Sequence, residues 1–203
     1  MENLIYYIFL AIALVIAITI HEYSHALAAD RLGDPTPRSL GRLSLNPLRH
    51  LDPLGTLMIF VLRFGWGKPV PIDAYNLKNP RRDELIIALA GPTSNLILAT
   101  LISLLTNFIP QNFILLSFLF TLIQINIILA VFNLLPIPPL DGSKIFLNLL
   151  PVDTSIKWQE AFDRFGIIIL LITLFIPIYN QKTLIDLVLT PAVNLISGLL
   201  LPL

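Results

Sequence analysis

Residues 4–25 read LIYYIFLAIALVIAITIHEYSH, an apolar run that ends in two histidines and a glutamate. The seventeen residues from Leu4 to Ile20 carry no charge, and the helix they predict, continued to about residue 30, can cross a hydrocarbon core of about 30 Å. The alternative is a cleaved signal peptide with Ala26-Leu27-Ala28 as its cleavage site. The residues before the run carry Glu2 and no Lys or Arg, which favours a first membrane span.

The composition agrees with a membrane protein. Of the 203 residues, 56% are hydrophobic and 13% are charged, against about 25% charged residues in soluble domains. Because 13 Lys and Arg residues balance 13 Asp and Glu residues, we expect no nucleic-acid partner. The chain has no cysteine, so any metal site would use His, Asp or Glu. The length predicts a single membrane-embedded domain over residues 1–203.

The predicted fold class is an all-α polytopic membrane protein with about five transmembrane segments. After the first span, further spans are predicted at Leu85–Ile109, Phe113–Leu135, Phe165–Tyr179 and Leu184–Leu201. The last segment contains Pro191, and the alternative is that it lies along the membrane surface. Leu54–Leu62 is apolar but too short to span, so we predict a re-entrant or interfacial segment there, with short β-strands around it.

The basic residues predict the orientation. Twelve of the thirteen Lys and Arg residues lie either in the segment 31–84 or after the third span, and only Lys182 lies in the opposite loops. By the positive-inside rule the N-terminus lies outside and the segment 31–84 faces the cytoplasm. The C-terminus would lie inside if the last segment spans.

His21-Glu22-Tyr23-Ser24-His25 stands in the inner part of the first span. A helix places residues four apart on one face, so His21 and His25 can bind one metal ion, with Glu22 beside them. The alternative is that the histidines satisfy local hydrogen bonds. Ionisable residues are expensive to bury in a membrane, and this favours a functional site.

A zinc ion held by two histidines needs a third protein ligand, and a catalytic zinc keeps a fourth position open. The third span ends in Asn133-Leu134-Leu135-Pro136-Ile137-Pro138-Pro139-Leu140-Asp141-Gly142, in which the prolines break the helix. The predicted topology places Asp141 on the same side of the membrane as His21 and His25. The alternative is that this segment is only the turn by which the chain leaves the membrane.

These motifs resemble those of the site-2 proteases, a family of intramembrane zinc metalloproteases. The resemblance rests on the pentapeptide His21–His25, on Gly91-Pro92-Thr93-Ser94-Asn95, and on Asn133–Gly142 with its core Leu140-Asp141-Gly142. It implies that His21, His25 and Asp141 bind one zinc ion and that Glu22 is the general base and acid. It further implies that Asn95 lies near the metal, where it supports the substrate carbonyl or the oxyanion.

Small and polar residues line one face of two predicted spans. Ala88, Gly91 and Asn95 share a face of the second span, which lets another helix approach closely. An interhelical hydrogen bond is therefore the alternative role for Asn95. Asn126, Ala130 and Asn133 form a similar stripe on the third span, for which we expect packing and hydrogen bonding rather than chemistry.

The segments Ser44–Gly55 and Trp66–Ile72 also resemble the compact members of this family. The resemblance implies short strands close to the active site, where a free strand edge could pair with an unwound substrate. For His50 the alternatives are a partner of a metal ligand, a substrate contact or a solvated loop residue. We favour the last two, because Asp141 already supplies the third ligand.

We therefore predict a multi-pass protein of the cell membrane that hydrolyses transmembrane or membrane-associated proteins, with its active site toward the cytoplasm. Its partners would be the substrate and the lipid bilayer. One alternative is a membrane scaffold without catalysis, which the presence of Glu22 disfavours. Another is a metal transporter, which would need polar residues continuing across the bilayer. The outer half of the first span is almost wholly apolar, and this argues against transport.

Overall fold

The computed structural model describes residues 2–55, 58, 65–110, 112–179 and 181–201. The helices, in chain order, are α1 (Glu2–Leu32), α2 (Thr36–Ser39), α3 (Pro80–Thr106), α4 (Phe113–Asn133), α5 (Asp141–Leu149), α6 (Val152–Phe175) and α7 (Leu184–Leu200). Two short antiparallel strands, β1 (Pro177–Tyr179) and β2 (Lys182–Thr183), form a hairpin between α6 and α7. The predicted all-α fold class is confirmed.

Helices α1, α3 and α4 are each long and apolar enough to cross a membrane, and they agree with the first three predicted spans. Each of the three packs against the other two. Ala13 of α1 and Ala99 of α3 are completely buried between them, and such small side chains let helices approach closely in a membrane. Ile123 and Ile127 of α4 complete the centre of this apolar core.

Helical structure is interrupted between α4 and α5, because three prolines between residues 136 and 139 cannot continue a helix. Helix α5 then begins at Asp141. A Cβ atom on Gly142 would lie 2.3 Å from the carbonyl oxygens of Leu134 and Leu135, so this close start requires glycine. The start of α5 is therefore packed against the end of α4.

Helix α6 departs from the predicted span Phe165–Tyr179. It begins earlier, at Val152, and ends at Phe175, and Pro177 then starts β1. Because the first half of α6 is charged, this helix is absent from the three that the described residues offer as membrane spans. Its apolar part from Phe165 to Phe175 is only about 16 Å long at 1.5 Å per residue, about half of the hydrocarbon core.

Helix α7 packs one face against the bundle, since Val193 lies in the core beside Ile123 and Ile127, while most of its other residues are exposed. An inside location of the C-terminus was expected if the last segment spans. The last described residue, Leu201, lines one cavity with Tyr6 near the start of α1, at the end of that helix opposite to the segment 31–84, which disagrees with this expectation. The expectation counted two crossings after α5, whereas the apolar part of α6 is about half as long as the hydrocarbon core.

The segment between α1 and α3 contains fewer strands than predicted. In its described residues, pairing is confined to a single bridge between Leu51 and Gly67, and the rest forms turns and short helices. Most of the re-entrant segment predicted for Leu54–Leu62 lies outside the described residues. Prolines and turn residues occupy much of the segment, and they shorten any strand because proline cannot donate to a β-ladder.

A buried aspartate connects the two ends of this segment. Asp34 is completely buried, and its carboxylate accepts hydrogen bonds from the backbone N–H groups of Thr36 and Asp73, at 3.0 and 2.8 Å. The Asn76 side chain donates a third hydrogen bond at 3.0 Å. The start of the segment is thereby joined to the turn that precedes α3.

Candidate metal centre

His21, His25 and Asp141 meet at one point between α1 and α5. The distances between His21 Nε2, His25 Nε2 and Asp141 Oδ2 are all 3.1 Å. The two histidines are only 4% and 6% exposed. Among the described residues, these three form the one cluster of His, Asp and Glu side chains able to hold a metal ion. The structure thus brings together the three residues that the resemblance implied.

Local structure explains this convergence. His21 and His25 are one turn apart on α1, and their rings are nearly perpendicular, at 84°, with both Nε2 atoms directed at the same carboxylate oxygen. Asp141 is the first residue of α5. The non-helical segment between α4 and α5 therefore places it against the face of α1 that carries the two histidines. The site therefore joins two elements that are distant in the sequence.

The other ring nitrogens determine which tautomer each histidine adopts. His21 Nδ1 lies 2.6 Å from Asn95 Oδ1, and His25 Nδ1 lies 2.7 Å from the carbonyl oxygen of Ile87. Both of these oxygens only accept hydrogen bonds, so each Nδ1 carries the hydrogen. In neutral imidazoles with this tautomer, the two Nε2 atoms present their lone pairs to one another and to the carboxylate.

This donor set fits a zinc ion. With both histidines neutral, two imidazole lone pairs and a carboxylate oxygen converge, an arrangement that a cation stabilises. For a tetrahedral ion with ligand distances of 2.0–2.2 Å, the separation between ligand atoms is about 3.3 to 3.6 Å, a few tenths of an ångström longer than the 3.1 Å observed. Three protein ligands would leave a fourth position open, as in catalytic zinc sites.

Gly91 of α3 leaves room for the imidazole rings of His21 and His25. A Cβ atom at this position would lie 2.4 Å from His25 Nε2 and 2.7 Å from His21 Nε2. Any other residue would therefore push against the Nε2 atoms of the two candidate ligands. The small-residue face predicted for this helix thus forms one wall of the candidate metal centre.

Asn95 lies one turn after Gly91 and is completely buried. Its Oδ1 accepts from His21, while its Nδ2 donates to the carbonyl oxygen of Ala17 at 3.1 Å and to Asn126 Oδ1 at 2.8 Å. Both amide hydrogens of Asn95 are therefore engaged by the protein. This geometry favours a role through His21 over direct support of a substrate carbonyl.

Glu22 stands next to His21 on α1 and is partly exposed. The Cβ position of Gly67 lies 3.4 Å from Glu22 Oε1, so extended backbone between α1 and α3 borders this carboxylate. Arg42 is buried, and its guanidinium donates to the carbonyl oxygen of Lys68, which follows Gly67 in the chain. We did not single out Arg42 from the sequence, because it is one of many basic residues in its segment and only its burial distinguishes it.

His50 is completely buried, so the prediction of a solvated loop residue is wrong, and the alternative of a substrate contact stays a prediction. Its Nε2 donates a hydrogen bond to the carbonyl oxygen of Ser44 at 2.6 Å. The Lys68 N–H donates to the carbonyl oxygen of His50 at 2.7 Å, and the Arg42 guanidinium donates to the carbonyl oxygen of Lys68. His50 thus lies in the interior of the segment between α1 and α3, apart from the three candidate ligands.

We expect the buried His50 to make the protein less stable in acid. Burial lowers the pKa of His50, and the nearby Arg42 guanidinium lowers it further against the opposing hydrogen bond to Ser44. The unfolded chain therefore takes up a proton as the pH falls through about 6.5, and folding loses stability below that pH. The unfolding temperature should fall less between pH 7.5 and pH 5.5 in His50→Gln than in the wild type. An equal fall in both proteins would contradict this prediction.

Comparison with known proteins agrees with the site. The model of the family described as "Peptidase family M50" matches residues 9–112 and 109–175. The protein named "Putative zinc metalloprotease YwhC" of Bacillus subtilis is 39% identical over 179 residues, which are 84% of this chain and 81% of that protein. "Putative zinc metalloprotease Rip2" of Mycobacterium tuberculosis strain H37Rv is 33% identical over 174 residues, 82% of this chain and 66% of that protein.

An archaeal relative, "Zinc metalloprotease MJ0392" of Methanocaldococcus jannaschii, is 27% identical over 150 residues, 74% of this chain and 37% of that longer protein. No solved structure matches the chain. The residues matched by the family model include the whole of the His21–His25 motif and Asp141. The chain therefore belongs to peptidase family M50, a family of zinc metalloproteases.

Proposed function

We propose that this chain is a zinc metalloendopeptidase that cleaves transmembrane or membrane-associated proteins within the membrane, as a single domain over residues 1–203. The convergence of His21, His25 and Asp141 at 3.1 Å carries this proposal. Metal-binding side chains buried in an apolar helix are costly to keep unless they have a function. Membership of peptidase family M50 supports proteolysis as that function.

The chemistry divides between the metal and the protein. A zinc ion would be held by His21, His25 and Asp141, and when bound it supplies a Lewis acid that polarises a carbonyl group and makes water more acidic. Glu22 accepts the proton from the attacking water and then donates it to the nitrogen of the leaving amine. Asn95 and the carbonyl group of Ile87 keep the two imidazoles in the orientation that ligation needs.

A transmembrane substrate must be unwound before cleavage, because its peptide bonds are shielded by its own helical hydrogen bonds. The Leu51–Gly67 bridge lies beside Glu22, and it presents extended backbone at the site. We propose that an unwound substrate pairs its main chain with this backbone while the scissile bond reaches the metal. The charge distribution supports a location in the cell membrane with the site facing the cytoplasm.

Zinc analysis of the full-length protein in detergent tests the proposed site without a known substrate. We expect about one zinc ion per wild-type chain and an affinity at least about 100-fold weaker in Asp141→Ala, since loss of a ligand should exceed the effect of losing a partner of a ligand. Asp153→Ala is the matched control, because Asp153 is exposed on α6. Folded wild-type protein that takes up no zinc would overturn the proposal.

A further inference from the structure

Asn126 is completely buried in α4, and its hydrogen bonds go to Asn95 and to the backbone of its own helix. Its Nδ2 donates to the carbonyl oxygen of Leu122 at 2.8 Å, and its Oδ1 accepts from Asn95 Nδ2 at 2.8 Å. Asn95 in turn accepts from His21 Nδ1 at 2.6 Å. A continuous chain of hydrogen bonds thus leads from the backbone of α4 through α3 to α1.

Each hydrogen bond in this series has a defined donor and acceptor. The carbonyl oxygen of Leu122 can only accept, so it determines which end of the Asn126 amide faces Asn95. With Asn126 Oδ1 in that place, Asn95 must present its Nδ2, which also donates to the carbonyl oxygen of Ala17 at 3.1 Å. Asn95 Oδ1 is then left for His21, and it requires a hydrogen on Nδ1.

We propose that Asn126 is a positioning residue that selects the metal-binding tautomer of His21 through Asn95. This proposal rests on the proposed function only in taking His21 as a metal ligand. When Nδ1 carries the hydrogen, Nε2 offers its lone pair to the metal. The other neutral tautomer places a hydrogen on Nε2, where it blocks ligation.

The second histidine provides an internal comparison. His25 Nδ1 donates to the carbonyl oxygen of Ile87, a backbone group whose direction is determined by α3 itself. An amide side chain such as that of Asn95 can rotate by 180° and exchange its donor and acceptor, whereas a backbone carbonyl in a helix cannot. His21 therefore depends on a second side chain to hold its acceptor in place, and His25 does not.

Three substitutions separate positioning from packing. Asn126→Leu has a similar volume but offers no acceptor to Asn95, and Asn126→Asp keeps an acceptor oxygen. Thr121→Val is the control, because the Thr121 hydroxyl donates to the carbonyl oxygen of Ser117 in its own helix at 2.8 Å. If Asn126→Leu does not fold, Asn126→Ser replaces it, since its hydroxyl is too short to span the distance to Asn95.

The first measurement is zinc affinity, by competition with a chelator in detergent. Loss of a partner of a metal ligand typically weakens binding by about 10–100-fold, and we expect about 10-fold for Asn126→Leu because Asn95 itself remains. Asn126→Asp should stay closer to the wild type than Asn126→Leu, and Thr121→Val should equal the wild type. Equal affinities in Asn126→Leu and the wild type would overturn the proposal.

The second measurement is ¹⁵N NMR of the metal-free protein with labelled histidine, which contains only three imidazoles. Asn126→Leu should give His21 a mixture of tautomers and leave His25 with its hydrogen on Nδ1. An unchanged His21 signal, or an equal change at both histidines, would refute selection by Asn126 and indicate a packing role. If the wild type binds zinc but cleaves no peptide, the proposed function is refuted, whereas the role of Asn126 is not affected.

Discussion

Glu22→Gln should keep the zinc content of the wild type and reduce peptide cleavage by about 10²- to 10⁴-fold, the range that general acid–base catalysis contributes. Gln retains the size of the side chain but cannot accept a proton from water. Metal binding should persist because Glu22 stands beside the ligands and outside the cluster formed by His21, His25 and Asp141. Cleavage of a synthetic transmembrane peptide in detergent, followed by mass spectrometry, measures the loss.

The control for this prediction is Glu160→Gln, which removes the same charge at an exposed position of α6. Glu160→Gln should cleave at the wild-type rate. Undiminished cleavage by Glu22→Gln would exclude Glu22 as the general base. Lack of cleavage by both the variant and the wild type, with zinc bound in each, would favour the membrane scaffold over the protease.

Gly91→Ala should abolish both stable zinc binding and cleavage, although only one methyl group is added. That methyl carbon would lie 2.4 Å from His25 Nε2 and 2.6 Å from His21 Cε1, far inside van der Waals contact. Either α3 moves away from α1 or the imidazoles turn out of position, and both changes separate the ligands. We expect zinc affinity to fall by at least about 100-fold, more than removal of a ligand's hydrogen-bond partner typically causes.

Gly198→Ala is the matched control, because a Cβ atom there meets no other atom within 4 Å. Both glycines lie inside helices, so each substitution gains about 1 kcal/mol of helix propensity. Gly198→Ala should therefore raise the unfolding temperature slightly and leave zinc binding unchanged. Normal zinc binding by Gly91→Ala would show that α3 lies farther from the metal centre than this structure places it.

The candidate site could be predicted from the sequence where its signals are local. The spacing of His21 and His25 by one helical turn requires nothing beyond the helix, and the prolines before Asp141 end a helix wherever they occur. Gly91 and Asn95 could be placed on one face of a span for the same reason. These are the residues on which prediction and structure agree in position.

Prediction was less successful where the environment of a residue depends on distant parts of the chain. The burial of His50 depends on the backbone at Lys68 and on the side chain of Arg42, which the folded segment brings together. In the same way, the hydropathy of residues 165–179 suggested a span. In the structure, charged helical turns precede residue 165 and a strand begins at Pro177, so the apolar part of α6 is shorter than a span. Local hydropathy does not report where a helix starts.

The sequence by itself determined that this chain is a helical membrane protein with His21, His25 and Asp141 as candidate ligands and Glu22 beside them, because hydropathy, helical spacing and proline breaks act locally. Only the tertiary structure decided that Gly91 borders the candidate ligands, that Asn126 reaches His21 through Asn95, and that Leu201 at the end of α7 lies near the start of α1. These features arise from the packing of α1, α3, α4 and α7. The directions of amide side chains and the distances between helices are set when those surfaces meet, and no single segment encodes them.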